Sequence, residues 1–340
     1  MKCAEVIQDI AAAILREKLV DGVLAFAQGV DMSDIVPILI TDEQDARKIL
    51  IASYQPCSLA KLASEYGGES KKLAVIVRPC DARAMVELAK RKQLDLQNIY
   101  SIGIECYGVA REPQGEIYIF PEEMLVDGEV KHLNKEILSP SCLRCEYPIP
   151  TMADVSCRIE KDGNCLVAAN TERGESVLSA AKITAQEKVK DISPIKERAL
   201  KRQEKEFGEI KGMEPRERLN YWLRQFDKCI KCYGCRNSCP ICYCEDCYLE
   251  PERLLVQKEE YPPEMLFHIT RLIHIGDSCV NCGQCETACP MNIPVSKLFH
   301  MMSKELGVLF KYEAGLDVDS LPPMSTITEE DLAKGGVGLG

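Results

Sequence analysis

Apolar positions recur at helical spacing from residue 4 to residue 19, and two strand-sized runs follow at 22–26 and 35–40. The alternation continues. Residues 42–52 and 59–65 read as helices and 73–77 as a buried strand. Residues 81–92 then read as a helix with Asp81 at its start, and 99–104 as a further strand. Helices interleaved with short apolar strands predict an α/β sheet, so the first half of the chain is expected to be a mixed α/β domain, α+β / α/β in class.

Further on the pattern changes. Between about 184 and 218 both signs of charge crowd together, as in Lys196-Glu197-Arg198 and Lys201-Arg202-Gln203-Glu204-Lys205-Glu206, which predicts a solvated helical connector. After Lys311 the chain turns acidic and ends in a glycine-rich stretch, expected to be a flexible tail over 313–340. Those last glycines lack the six-residue spacing and the following helix of a dinucleotide fingerprint. Domain boundaries are therefore expected at 1–183, 184–218, 219–312 and 313–340.

The longest apolar runs are far shorter than the ~20 residues of a membrane span, and the N-terminus has no basic region followed by an apolar one. A cytoplasmic protein is expected. A net charge of -11 disfavours nucleic acid and anionic lipid and points to protein or small-molecule partners. Nineteen cysteines in a chain of that kind argue for metal or redox chemistry over disulfides, because the cytosol keeps thiols reduced. The four histidines, His132, His268, His274 and His300, are scattered and read as surface or core residues. His268 and His274, six apart on one helical segment, fall on different faces.

Eight of the cysteines form two copies of one motif. Cys229-Ile-Lys-Cys232-Tyr-Gly-Cys235-Arg-Asn-Ser-Cys239-Pro240 is a C-x2-C-x2-C-x3-C-P run, and Cys279, Cys282, Cys285, Cys289 and Pro290 repeat it 50 residues on. In such a run three closely spaced thiolates wrap one face of a [4Fe-4S] cubane and the fourth ligates the other cluster. Cluster one is then expected on Cys229, Cys232, Cys235 and Cys289, and cluster two on Cys279, Cys282, Cys285 and Cys239. Zinc is the alternative, but four ligands complete its shell and the x2-x2-x3-Pro pattern serves it no purpose. Pro240 and Pro290 turn the chain away from the cluster, and Gly234 and Gly283 let backbone approach the sulfurs.

Cys242, Cys244 and Cys247 lie between the motifs. They fit a further metal with a donor from elsewhere, a subunit interface, or inert buried thiols. Helices expected at 262–275 and 294–309 would cover the clusters with Met265, Phe267, Leu298, Phe299 and Met301.

Four more cysteines end strands or enter loops: Cys80 in Val-Arg-Pro-Cys-Asp-Ala, Cys106 in Ile-Gly-Ile-Glu-Cys-Tyr-Gly, and the pair Cys142-Leu-Arg-Cys145. Strand ends on one edge of a parallel sheet converge, so these thiols fit either a third [4Fe-4S] site or buried structural cysteines.

At these residues the chain resembles the beta subunits of deazaflavin-dependent hydrogenases and formate dehydrogenases. The resemblance runs from Leu15-Arg-Glu-Lys-Leu-Val-Asp-Gly-Val-Leu24 through Arg78-Pro-Cys-Asp-Ala-Arg-Ala-Met85, Gly103-Ile-Glu-Cys106 and Cys142-Leu-Arg-Cys145-Glu146 to Ala153-Asp-Val-Ser156. The run from Cys229 to Cys247 is similar to the formate dehydrogenase branch. The resemblance implies a third cluster on Cys80, Cys106, Cys142 and Cys145 beside an FAD that exchanges hydride or electrons with a soluble carrier. Two departures fall on the flavin side. Val6-Ile-Gln-Asp-Ile-Ala-Ala-Ala13 stands in place of the family's Ser-Gly-Gly stretch, and Cys157-Arg158-Ile159-Glu160 stands where the family continues with glycines.

The sequence therefore predicts an iron-sulfur electron-transfer subunit of an anaerobic oxidoreductase complex, formate dehydrogenase beta subunit-like, with a catalytic partner subunit, three clusters and weak or no FAD binding. The alternative is an FAD-dependent reductase acting on a deazaflavin or another soluble carrier.

Overall fold

The computed structural model describes residues 2–31, 34–51, 54–67, 71–111, 138–159, 164–186, 192–249 and 264–324. His132, Glu160 and the terminal glycines lie outside them. Helix α1 (Cys3–Arg16) leads into strands β1 (Gly22–Gln28) and β2 (Ile35–Ile40). Helix α2 (Leu59–Tyr66), strand β3 (Leu73–Val77), helix α3 (Pro79–Lys90) and strand β4 (Ile99–Ile104) follow. A one-turn helix α4 (Pro140–Leu143) precedes strands β5 (Val155–Ile159) and β6 (Cys165–Ala169) and helix α5 (Glu172–Ala180). The remaining described elements are helices: α6 (Ser193–Lys211), α7 (Pro215–Phe226), α8 (Gly234–Asn237), α9 (Glu264–Ile275), α10 (Gln284–Thr287) and α11 (Val295–Phe310).

The six strands form one mixed sheet in the order β2-β1-β3-β4-β5-β6. Its centre, β1-β3-β4-β5, is parallel, and the edge strands β2 and β6 run antiparallel to their neighbours. Alternate residues of the central strands serve two separate cores, as the period of a strand requires. Val23, Ala25, Ala74, Ile76 and Ile102 pack with α1 and α5 on one face. Leu24, Phe26, Leu73, Val75 and Val77 pack on the other with α2 and α3, and there they share a core with Trp222, Phe226, Ile293 and Phe299 from the second half of the chain. The mixed α/β architecture expected from the alternation is present.

Three local differences have physical reasons. Residues 42–52 were expected to be helical, yet only a short 3-10 turn (Glu43–Lys48) forms. Beyond it the backbone is drawn onto the sheet, with Leu50 N–H bonded to Phe26 O at 2.8 Å. Helix α3 begins at Pro79 rather than at Asp81, because proline suits the first helical turn. Asp81 is buried instead, where it accepts from Ser58 Oγ at 2.6 Å and Gln55 Nε2 at 2.8 Å. The charged stretch is not fully solvated: Gln203, Glu206, Phe207 and Ile210 on one face of α6 are buried. Arg144 Nη1, itself buried, donates to Glu206 Oε2 at 2.8 Å.

Candidate functional site

The two C-x2-C-x2-C runs adopt the same backbone. In the first, Lys231 (φ 52°) and Tyr233 (φ 59°) are left-handed, and in the second Asn281 (φ 57°) and Gly283 (φ 77°) are, so each second cysteine sits between two residues of positive φ. Such a winding turns amide groups inward; Lys231 N–H reaches Cys229 Sγ at 3.4 Å. One-turn helices α8 and α10 then carry Cys235 and Cys285. Glycine is needed in two ways. Gly283 takes the left-handed position, where a Cβ would also stand 1.9 Å from Ser141 Oγ. Gly234 is not left-handed, but a Cβ on it would lie 2.8 Å from Ala288 O, the carbonyl just before Cys289. The first motif is thus seated against the end of the second.

That contact brings the crossed thiols together. Cys229 and Cys289 are each close enough to oppose the ionisation of Cys235, and Cys232 and Cys289 oppose that of Cys229. Cys279 and Cys282 stand in the same relation to Cys285. Cys239 faces the same guanidinium, Arg271, as Cys285 does.

In the N-terminal half, β3 and β4 lie side by side with Val77 opposite Gly103, so both carboxyl ends reach one edge of the sheet. Cys80 opens α3 just beyond the first and Cys106 lies just beyond the second. Cys142 and Cys145 come to them on and after α4, held by Ser139 N–H to Val109 O at 2.9 Å and Cys106 N–H to Pro148 O at 2.8 Å. All four thiols line a single cavity whose wall also includes Cys282. Cys282 opposes the ionisation of Cys80 and is itself opposed by Cys142, while Cys235 acts on Cys285. The three sets of thiols therefore run in series: the N-terminal four, then the second motif, then the first.

Burial makes these thiols reluctant to ionise alone; it pushes Cys142 and Cys282 up to about 12. Their partners are buried cations. Arg78 Nη1 donates to Cys106 Sγ at 3.3 Å. Arg271, 2% exposed, donates to Cys235 Sγ at 3.1 Å and Cys235 O at 3.0 Å, and reaches Cys242 Sγ at 3.8 Å. Phe267 and Phe299 flank it, and among the described residues no carboxylate pairs with it. An unpaired guanidinium in a dry core costs several kcal/mol, so the site suits an anionic group held on the neighbouring sulfurs. A thiolate-ligated [4Fe-4S] cluster is such a group. Among the described residues no three Cys, His, Asp or Glu side chains converge closely enough to hold a single metal ion.

Cys242, Cys244 and Cys247 gather beside the first motif, where they line a cavity with Arg236, Arg271 and His274. Cys242 contacts Cys239. His268 is buried and stacked on Phe226 at 4.5 Å; burial and the charge of Arg271 lower it to about 4, and neither ring nitrogen has a partner among the described residues.

Comparison with known proteins bears on the whole chain. Residues 225–293 match the family model described as a 4Fe-4S dicluster domain. The F420-dependent formate dehydrogenase subunit beta of Methanocaldococcus jannaschii is 35% identical over 96% of this chain and 95% of its own length. The chain belongs to the formate dehydrogenase beta subunit family. The F420-dependent formate dehydrogenase 1 subunit beta of Methanococcus maripaludis, 32% identical over 95% of this chain and 93% of its own, agrees. A chain of the F420-reducing [NiFe] hydrogenase complex from Methanosarcina barkeri is similar at a TM-score of 0.44 and 16% identity, covering 58% of this chain and 82% of that one. This beta subunit is an iron-sulfur electron-transfer protein with a dicluster domain toward its C-terminus. None of its described helices is long and apolar enough to cross a membrane.

Reading the sequence for cysteines misses the beta subunit's buried arginines. Arg271 carried a signal: it follows Phe267 by four residues and precedes Ile275 by four, which puts a charge on the apolar face of α9. Arg78 follows β3 directly, and its role was not legible because it depends on β4 ending where it brings Cys106 alongside.

Proposed function

We propose that this chain relays electrons between a catalytic partner subunit and a second electron carrier in a cytoplasmic, anaerobic, formate-oxidising complex. Its F420-dependent formate dehydrogenase relatives are named for that chemistry. The observation that carries the reading is the unbroken series of three thiol sets. Cys80, Cys106, Cys142 and Cys145 would hold one [4Fe-4S] cluster. Cys279, Cys282, Cys285 and Cys239 would hold the second, and Cys229, Cys232, Cys235 and Cys289 the third. Bound there, the clusters supply one-electron steps at potentials set by burial and by hydrogen bonds to sulfur. The chain's own part is to exclude water and to direct cations at the sulfurs, Arg78 at the N-terminal set and Arg271 between the other two. With it goes a division into 1–183, a connector over 184–218, a dicluster domain at 219–312 and a tail over 313–340, although the first residues of that tail are not free: Ala314 O accepts from Arg83 and Gly315 N–H donates to Glu87.

The alternative is a reductase in which bound FAD exchanges hydride with a deazaflavin. Core packing argues against it. Ile7, Ile10, Ala11 and Ala13 of α1 and Cys157 of β5 are all buried in the apolar layer, so the segments that depart from the family's glycines fill space rather than open it. Anaerobic purification with iron and sulfide assay and flavin extraction tests both readings. The relay predicts about twelve irons per chain, four for each cubane, with substoichiometric FAD. About eight irons would remove the N-terminal cluster, and one FAD per chain would favour the reductase.

A further inference from the structure

Three cysteines outside the metal-site sets meet in the core on the α1 face of the sheet, where Cys157 lies opposite Ile104 of β4. Cys165 Sγ, at the start of edge strand β6, lies 2.9 Å from Cys3 Sγ at the start of α1. The backbone holds this approach in place: Lys2 and Asn164, the residues just before the two thiols, pair in an antiparallel bridge. Cys157, on the neighbouring strand β5, completes the group through a side-chain hydrogen bond to Cys165. Cys3 and Cys157 are buried, whereas Cys165 is half-buried.

The three thiols are not equivalent. Hydrogen bonds from Cys157 and then from Cys3 hold Cys165 well below the ordinary thiol range, while the same contacts, with burial, push Cys3 and Cys157 up. The half-buried member is thus the one of the three most disposed to ionise, and the Cys3 thiol lies against it. Two sulfurs in contact need to close only from 2.9 Å to the roughly 2.05 Å of a disulfide.

We propose that Cys3 and Cys165 form a redox-active dithiol that closes to a disulfide by exchange with a small-molecule disulfide. The Cys165 thiolate attacks one sulfur of that molecule, forms a mixed disulfide and expels one thiolate. Cys3 loses its proton, displaces the second thiolate, and the Cys3–Cys165 bond forms. Two electrons pass to the small molecule, which leaves as two thiols. Cys157 positions Cys165 and is not consumed. The bond would tie the N-terminus of α1 to the edge of the sheet, next to the apolar cluster against which Cys106 also packs. The proposal is independent of how many clusters the chain holds.

The test uses the intact, cluster-loaded chain under anaerobic conditions. It is equilibrated with oxidised and reduced dithiothreitol in varied ratio, alkylated after denaturation and mapped by peptide mass spectrometry, with iron assayed in parallel. A Cys3–Cys165 cross-linked peptide that grows with the oxidised fraction at constant iron is the expected result. It should be lost in Cys165→Ser and kept in Cys157→Ala. Full alkylation of Cys3 and Cys165 in the wild-type chain at constant iron would overturn the proposal, as would a Cys157–Cys165 link in its place.

Discussion

Arg271 is the residue whose burial asks most for an explanation, since its charge is set among thiols and aromatic rings with no acid beside it among the described residues. A positive charge and an N–H donor at a cluster's sulfur favour the more negative, reduced state, so both raise the reduction potential. Arg271→Met should therefore lower the potential of the cluster at Cys235. A hydrogen bond to a charged group contributes about 1.5 kcal/mol or more, which corresponds to a fall of roughly 60 mV for one electron. A redox titration followed by electron paramagnetic resonance reads it, and an unchanged or higher potential would refute the role. The cysteines themselves make a coarser prediction. Cys235→Ala and Cys285→Ala should each lose about four irons per chain, because on the proposed assignment each removes a ligand from one cubane and folding of such modules is coupled to metal binding. Unchanged iron in either variant would reject the assignment of that thiol.

At the scale of elements, two glycines make opposite predictions. Gly283 adopts a left-handed conformation, and its missing Cβ leaves room for Ser141. Gly283→Ala should destabilise the chain by about 2 kcal/mol through strain and displacement of α4. Gly208 sits in the exposed part of α6 with nothing within 4 Å of where a Cβ would be. Gly208→Ala should stabilise by roughly 0.5–1 kcal/mol, because alanine gives up less conformational freedom on entering a helix. Chemical denaturation of the two variants against wild type checks the sign of each. The elements also mark what could be read in advance. Strands β1 to β4 and helices α1 and α11 were legible because their apolar periodicity is strong and local. The helix expected over 42–52 was not formed, since its pattern served equally well for a segment laid against β1. The buried face of α6 was hidden for a related reason: Gln203 and Glu206 are polar residues that become interior only once Arg144 and Glu146 supply partners.

Across the whole molecule, Glu87 joins the two halves of the chain. It accepts from Lys90 Nζ at 2.9 Å and Arg91 Nη1 at 2.9 Å on its own helix side, and from Tyr312 OH at 2.6 Å and Gly315 N–H at 2.7 Å beyond α11. Burial alone would raise its carboxyl, but the bonds from Tyr312 and Lys90 and the charges of Lys90 and Arg91 outweigh it and hold the group below its ordinary 4.5. A carboxylate held low contributes stability above its unfolded pKa and loses it as pH falls through the folded one. Glu87→Gln should cost about 3 kcal/mol at neutral pH by taking the carboxylate from buried Lys90 and from Arg91, which keeps Asp277 at 3.7 Å. That deficit should shrink as denaturation is repeated below pH 4.5, where the unfolded chain binds the proton first, and be lost once pH falls through the lower pKa of the folded carboxyl. A deficit independent of pH would mean that packing, not charge, is what the side chain supplies. What the sequence determined by itself was the local chemistry: cluster motifs are legible because the chelating loop is only a few residues long, and its spacing encodes its geometry whatever surrounds it. Only the tertiary structure decided which distant groups meet. Arg271 and Cys235 are 36 residues apart, Arg83 and Ala314 are 231 apart, and Cys3 and Cys165 are 162 apart. No periodicity spans such separations, because these contacts are set by how the sheet and its covering helices pack, and packing is a property of the assembled chain.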